Sequence, residues 1–316
     1  MLFRSTVCYA AAGQSTRTWV PTVLLDPRFL AEQMLNSLQF SMLLFLLAIG
    51  LSVVFGLMDY LNLAHGTIYM LAAHLAFSVA QLGGSFWIAL LVAPVLAAIV
   101  GVALYLLLLR LAERKGHLTQ VLLTVGVIYV GTDLVRIAWG DLPKGVVQPT
   151  VLSGAVDVFG IAYPAYRLFV IASGMLVMVV LYFTLERTRL GALVRAGVDD
   201  RETAETLGID ISLVFTLVFA IGTYLAGVAG VVAAPIFGVY PGMDVNIIIL
   251  VMIVVVVGGL GSLKGAILGS LLIGFADTFG KIMLPQLAMM MIYCVMAMVL
   301  VFRPSGLLPA RRFSAG

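Results

Sequence analysis

The 316 residues are 62% hydrophobic and only 10% charged, with a net charge of +3. Soluble domains run at about 45–50% apolar and about 25% charged, so this chain has too few charges to solvate a surface, and its solvent is lipid. The positive charges form no basic block, which speaks against nucleic acid as a partner, and the apolar runs leave no stretch long enough for a soluble domain.

In chain order, residues 1–33 carry Arg4, Arg17, Pro21, Pro27 and Arg28 with no continuous apolar h-region or small-residue cleavage site. They read as a weakly ordered leader or the product of an early start codon, with Met34 as the natural beginning. Cys8 and Cys294 stand far apart and lack the spacing of a metal site or a disulfide framework.

A membrane-crossing helix needs about 20 mainly apolar residues. Such runs are expected at 37–58, 66–83, 86–109, 118–139, 167–185, 212–235, 265–283 and 286–302. The segment NIIILVMIVVVVGGLGSLKG, at 246–265, has a short apolar core followed by glycines and is too brief for an ordinary span. Continuous apolar runs, in place of alternation, exclude a β-barrel. The expected fold is all-α, a polytopic membrane bundle of about eight to nine transmembrane segments.

Charge orients the bundle. Loop 110–117 holds Arg110, Arg114 and Lys115, and loop 186–211 holds Arg187, Arg189, Arg195 and Arg201. Loops 140–165 and 236–245 hold only Lys144. The positive-inside bias puts the first pair in the cytoplasm, together with the C-terminus, which carries Arg303, Arg311 and Arg312. Counting crossings backwards places the N-terminus outside, unless a re-entrant segment reverses it.

Loop 186–211 contains GVDDRETAETLGID, a dense charged stretch between two apolar spans. Its grammar is that of a short helix. Asp199 is expected to cap it, Glu202 completes a capping-box pattern and Gly208 suits the stop. Arg201 and Glu205 stand one turn apart and can pair, and Asp200 adds to the acidic start. Ala204, Leu207 and Ile211 form an apolar stripe that needs cover, from this chain's own loop or from a soluble partner.

Ionisable groups within the membrane are costly, which singles out Asp59, Asn62, His65, His74, Asp133, Arg136 and Asp277. Asn62 can cap the helix that follows it, and Gly66 permits close packing. Either this turn only satisfies backbone ends, or Asn62, His65, Gly66 and Tyr69 hold a gate or line a path. Asp133 and Arg136 are expected to pair near the outer surface. His74 is expected to hydrogen-bond a neighbouring helix, and Asp277 to face the bundle interior as a further candidate for the path or gate. Gly222, Ala226, Gly227 and Gly230 have the spacing of a tight helix–helix contact, in this bundle or against a second chain. Gly258, Gly259 and Gly261 read as a tight connection or as the break that marks a transport path. No G-x-x-x-x-G-K-[ST] occurs, so the chain carries no nucleotide site or other cofactor of its own.

GLMDYLNLAHGTIYMLAAHLAF (56–77), RAGVDDRETAETLGIDISLVFTLVFAIGTYLAGVAGVVAAPIFG (195–238), VVVGGLGSLKGAILGSLLIGFAD (255–277) and RPSGLLP (303–309) occur in order. Together they resemble the permease subunit of branched-chain amino-acid ABC importers, over about residues 34–310, with 311–316 as a tail. The resemblance implies that Arg195, Asp199, Asp200, Glu202, Ala204, Glu205, Leu207 and Gly208 belong to a cytoplasmic coupling helix seated on an ATPase. It also implies two ATPase subunits, a second permease and an extracytoplasmic solute-binding protein, in a bacterial inner membrane. Branched-chain or related amino acids come first as solute, with urea or short amides behind. Two other classes compete. A proton-coupled secondary carrier would use Asp59, Asp133 or Asp277, and a Mg²⁺ enzyme at Asp199 and Asp200 lacks the second acidic cluster it needs.

Overall fold

The computed structural model describes residues 26–112, 115–158, 160–199 and 201–309. Cys8, Arg114, Asp200, Arg311 and Arg312 lie outside them, and of Asp199, Arg201 and Glu202 only the backbone is described. Among the described residues the fold is helical apart from one hairpin. Helix α1 is Pro27–Met58, α2 His65–Gln81, α3 Phe86–Leu107, α4 His117–Trp139 and α5 Ala165–Arg187. The hairpin, β1 (Ala155–Val158) against β2 (Ile161–Pro164), precedes α5. Then come α6 Arg189–Asp199, α7 Arg201–Thr206, α8 Ile211–Phe237, α9 Met243–Gly258, α10 Leu263–Met283 and α11 Ala288–Phe302.

Six of these, α1, α3, α4, α5, α8 and α10, are long and apolar enough to cross a membrane. Helices α2, α9 and α11 are shorter, which brings the bundle close to the expected number of segments. Helix α1 starts ten residues before the span expected from residue 37, because Asp26 caps it by accepting from the Arg28 N–H at 2.9 Å and Pro27 takes the first turn. It is the central post of the bundle. Leu44, Leu46, Ala48, Ile49 and Val54 are fully buried along it, and α5, α8, α9 and α10 pack around it.

Hydrogen bonds sort the loops into two ends. Lys144 and Val239 exchange backbone hydrogen bonds of 2.8 Å in both directions, joining loops 140–165 and 236–245, neither of which carries arginine. Asn36, near the start of α1, accepts from Tyr163 Oη at 3.1 Å and Arg167 Nη1 at 2.6 Å, so that start belongs to the same end. Burial pushes the Tyr163 phenol above its ordinary value. At the other end Asp59 faces His117 at 3.8 Å, and Met58 packs against the cluster of Ala204, Ile211 and Phe215. The arginine-rich loops and the end of α1 therefore lie together, opposite the Lys144 loop.

Two crossings are interrupted. The chain leaves α1 at Asp59, whose φ of 49° is the one left-handed non-glycine conformation among the described residues. It returns through a buried non-helical stretch before α2 begins. His65 Nε2 lies 3.2 Å from the Leu47 carbonyl oxygen, eleven residues before Met58, so α2 starts about 16 Å of helix inside the bundle. Helix α9 likewise starts inside, at Met243, after the 238–242 stretch descends from α8. Non-helical backbone at such depth is tolerated where protein or a path surrounds it.

The small residues of α8 close this bundle. A β-carbon at Gly227 would stand 2.7 Å from Pro94 Cα, and one at Gly222 would stand 2.6 Å from Val54 Cγ2. Gly230 sits against the Tyr69 carbonyl, and Ala226 is fully buried. Their close contacts fall on α1, α2 and α3 of this chain. Gly258 sits on Gly265, Gly261 on Gly56, and Gly259 (φ 110°) on Pro309. The tail clamps this connection, with Leu307 N–H and Leu308 N–H donating to the Val257 and Gly258 carbonyls at 2.8 and 2.9 Å.

Candidate functional site

The charged foot between α5 and α8 is two helices, where the sequence pattern suggested one. Asp199 is the last residue of α6, and α7 opens at Arg201. The expected Asp199 cap is therefore displaced, because α6 continues from Arg189 through the residue that was to start the helix. The stop is as expected. Gly208 has φ 85°, its N–H donates to Glu205 O at 3.0 Å, and Ile209 N–H donates to Ala204 O at 3.1 Å. This is the Schellman pattern, with Ile209 and Ala204 also sharing an apolar cluster.

The stripe on the foot divides. Ala204 and Ile211 are buried against Met58 and Phe215, so the foot is anchored to the base of α1 and α8 by its own chain. Leu207 points outward at 76% exposure, and Glu205 is exposed beside it. Arg195 donates from Nη1 to the Leu185 carbonyl, tying α6 to the end of α5. The foot is thus a helix pair anchored by its own chain, with Leu207 exposed just past its end.

Inside the bundle the polar residues of the stretch 62–69 are buried, whereas Asp59 at its mouth is exposed. Asn62, His65 and Tyr69 are each at most 4% exposed. Asn62 does not cap α2. The cap position is Ala64, with no side-chain bond, and Asn62 offers its backbone carbonyl to His65 N–H at 3.3 Å. The backbone turn thus does what the side chain was expected to do, leaving Asn62 Oδ1 and His65 Nδ1 buried without hydrogen-bond partners among the described residues. Gly66 brings this turn onto α9: a β-carbon there would stand 2.8 Å from the Asp244 carbonyl oxygen.

Asp244 escaped the sequence reading because it falls in loop 236–245, ahead of the apolar run. It is fully buried, and its Oδ2 accepts from Thr67 Oγ1 at 3.1 Å and Thr132 Oγ1 at 3.4 Å. One carboxylate thereby holds together α2, α4 and the start of α9. The signal available in the sequence was Gly242 followed by an acid, which marks a helix start that breaks the apolar pattern.

The model of the branched-chain amino acid transport system / permease component family matches residues 33–300. This chain belongs to that family. The permease is 32% identical to the high-affinity branched-chain amino acid transport system permease protein BraD of Pseudomonas aeruginosa, over 88% of this chain and 95% of that one. It is 26% identical to LivH of Escherichia coli K12, covering 89% and 96%. It is 28% identical to LivM of the same organism, covering 86% and 69%.

Elsewhere in the permease, Asp277 is buried as expected and has a partner on its own helix, Lys281 Nζ at 2.6 Å. Lys281 also lies over the Phe40 ring at 5.6 Å, so this pair braces α10 on α1. Arg136 binds Asp133 at 2.7 Å, as its spacing implied, and Asp141 at 2.5 Å. His74 does not bond a neighbouring helix: Nδ1 reaches Met70 O, one turn back, at 2.9 Å. Its ring meets Trp139 at 5.4 Å, and Trp139 Nε1 donates to Ser78 Oγ at 2.7 Å. The cross-helix bond was made by the indole.

Proposed function

We propose that this chain is the transmembrane permease subunit of an ATP-driven importer of branched-chain amino acids, in a bacterial inner membrane. The observation that carries the reading is the family match along residues 33–300. The names of BraD, LivH and LivM supply the substrate class. That E. coli has two related permease proteins of such a system supports pairing with a second, homologous permease. Residues 34–310 are the permease domain, and the chain carries no cofactor of its own.

The arginine-rich end faces the cytoplasm, with loop 186–211 and the C-terminus. There α6 and α7 meet one of two ATPase subunits. Leu207 and Glu205 form the tip of the contact, Arg195 fixes α6, and Ala204 and Gly208 fix the shape of α7. Asp199, Asp200 and Glu202 belong to the same acidic stretch of sequence. At the opposite end a solute-binding protein delivers cargo, and Asn62, His65, Gly66 and Tyr69 stand at the gate. The anchored foot supports this reading, since a push on Leu207 reaches the base of α1 through Ala204, Ile211 and Met58.

The test is uptake into liposomes holding the permease, a homologous permease and the ATPases, with the binding protein outside. ATP-dependent leucine uptake that requires all components is the expected result. Uptake by this chain alone on a proton gradient, or ATP-driven uptake of urea or amides without leucine, would overturn it.

A further inference from the structure

Asp244 poses a chemical problem that its hydrogen bonds do not solve. It lies fourteen residues before Gly258, at the end of α9, and Thr132, which it binds, lies seven before Trp139, at the end of α4. That is about 21 Å of helix from one face and about 10 Å from the other. A carboxylate at this depth is costly. Its donors, Thr67 and Thr132, are neutral hydroxyls, and among the described residues Oδ1 has no partner beyond the amides of its own first turn. Arg136, one turn above Thr132, is held by Asp133 and Asp141. His65 Nε2 is engaged by Leu47 O. A latch for two hydroxyls requires only a neutral acceptor, and asparagine would supply one without the charge.

One observation places further polar groups beside this carboxylate. The start of α2, against which Asp244 rests, turns the positive end of its dipole inward, and His65 Nδ1 and Asn62 Oδ1 there are buried without partners among the described residues.

We propose that Asp244 receives the α-ammonium group of the cargo during passage, the ammonium displacing the hydroxyls of Thr67 and Thr132. The inference rests on the amino-acid importer reading above. With Gly66 against the Asp244 carbonyl the arrangement is closed, and the carboxylate is reached when α9 parts from α2. The inward start of α2 then faces the carboxylate of the same zwitterion. No proton or bond is exchanged.

The experiment uses the complete importer in liposomes, with the leucine-loaded binding protein, comparing wild type, Asp244→Asn and Asp244→Glu. Asparagine keeps an acceptor for both threonines, so a purely structural role predicts uptake within about twofold of wild type, whereas loss of the ion pair lowers it at least about tenfold. The expected result is that loss in Asp244→Asn, with ATPase stimulation by the binding protein retained, and recovery of most uptake in Asp244→Glu. Near-normal uptake in Asp244→Asn would overturn the proposal. So would failure of both variants to insert and assemble, which would make the side chain a structural brace. If the wild-type importer hydrolyses ATP but moves no leucine, the importer reading itself fails, and that failure is seen without any variant.

Discussion

Gly66 and Asp244 touch through their backbones, at the point where two interrupted helices meet inside the bundle. A β-carbon at Gly66 would stand 2.8 Å from the Asp244 carbonyl oxygen and 3.2 Å from Ile248 Cβ. Both neighbours are fixed, one by its backbone and one by branching at the β-carbon. Gly66→Val therefore pushes α9 off α2 at a cost of about 1–3 kcal/mol. The detergent-solubilised protein should unfold at a lower temperature than wild type. An unchanged midpoint would show that the two helix starts are not in contact.

At the foot, Ala204 lies within α7 and Leu207 just past its end, and the two predict opposite failures. Leu207 is exposed, so Leu207→Asp changes stability by no more than about 0.5 kcal/mol. Loss of an apolar anchor at the centre of a contact costs about 2 kcal/mol or more, so ATP-driven uptake should fall at least tenfold while the inserted amount is unchanged. Ala204 is 3% exposed, and Ala204→Asp buries an unpaired charge, so it should lower the amount of inserted protein itself. Equal uptake by Leu207→Asp and wild type would remove the docking role.

Loops 140–165 and 236–245 are joined by the Lys144–Val239 bridge, with 2.8 Å hydrogen bonds in both directions. Residues paired in this way have Cα atoms about 5.5 Å apart, within the disulfide range of about 4.4–6.8 Å. The pair Lys144→Cys and Val239→Cys should form an intramolecular disulfide under mild oxidation, visible by mass spectrometry. Failure to form it would separate loops that the fold places together.

The helical bundle was legible because the apolar runs are long and their ends carry charge or glycine. The Asp133–Arg136 pair and the Gly208 stop were legible for a related reason: both depend on residues within one turn. Groups whose partners are far along the chain were not. Asp244 bonds residues of two distant helices, and in one dimension it looks like a loop acid beside an apolar run. Asn62 was read as a cap because its residue type favours that role, but the tight turn 62–65 satisfies the backbone without it. The division of the foot into α6 and α7 was hidden too, since Arg189–Asp199 is amphipathic enough to run as a helix into the expected start. Whether the small residues of α8 served this bundle or another chain could not be read from their spacing. Contacts with Pro94, Val54 and Tyr69 answer it.

The central claim is that α6 and α7 hang on the cytoplasmic side, where a separate ATPase can push them. Thr203 is exposed on α7, and Thr203→Cys in a background of Cys8→Ser and Cys294→Ser reports its side directly. A membrane-impermeant thiol reagent should leave it unmodified in intact cells and modify it in inverted vesicles. Modification in intact cells would put the foot outside and contradict the account.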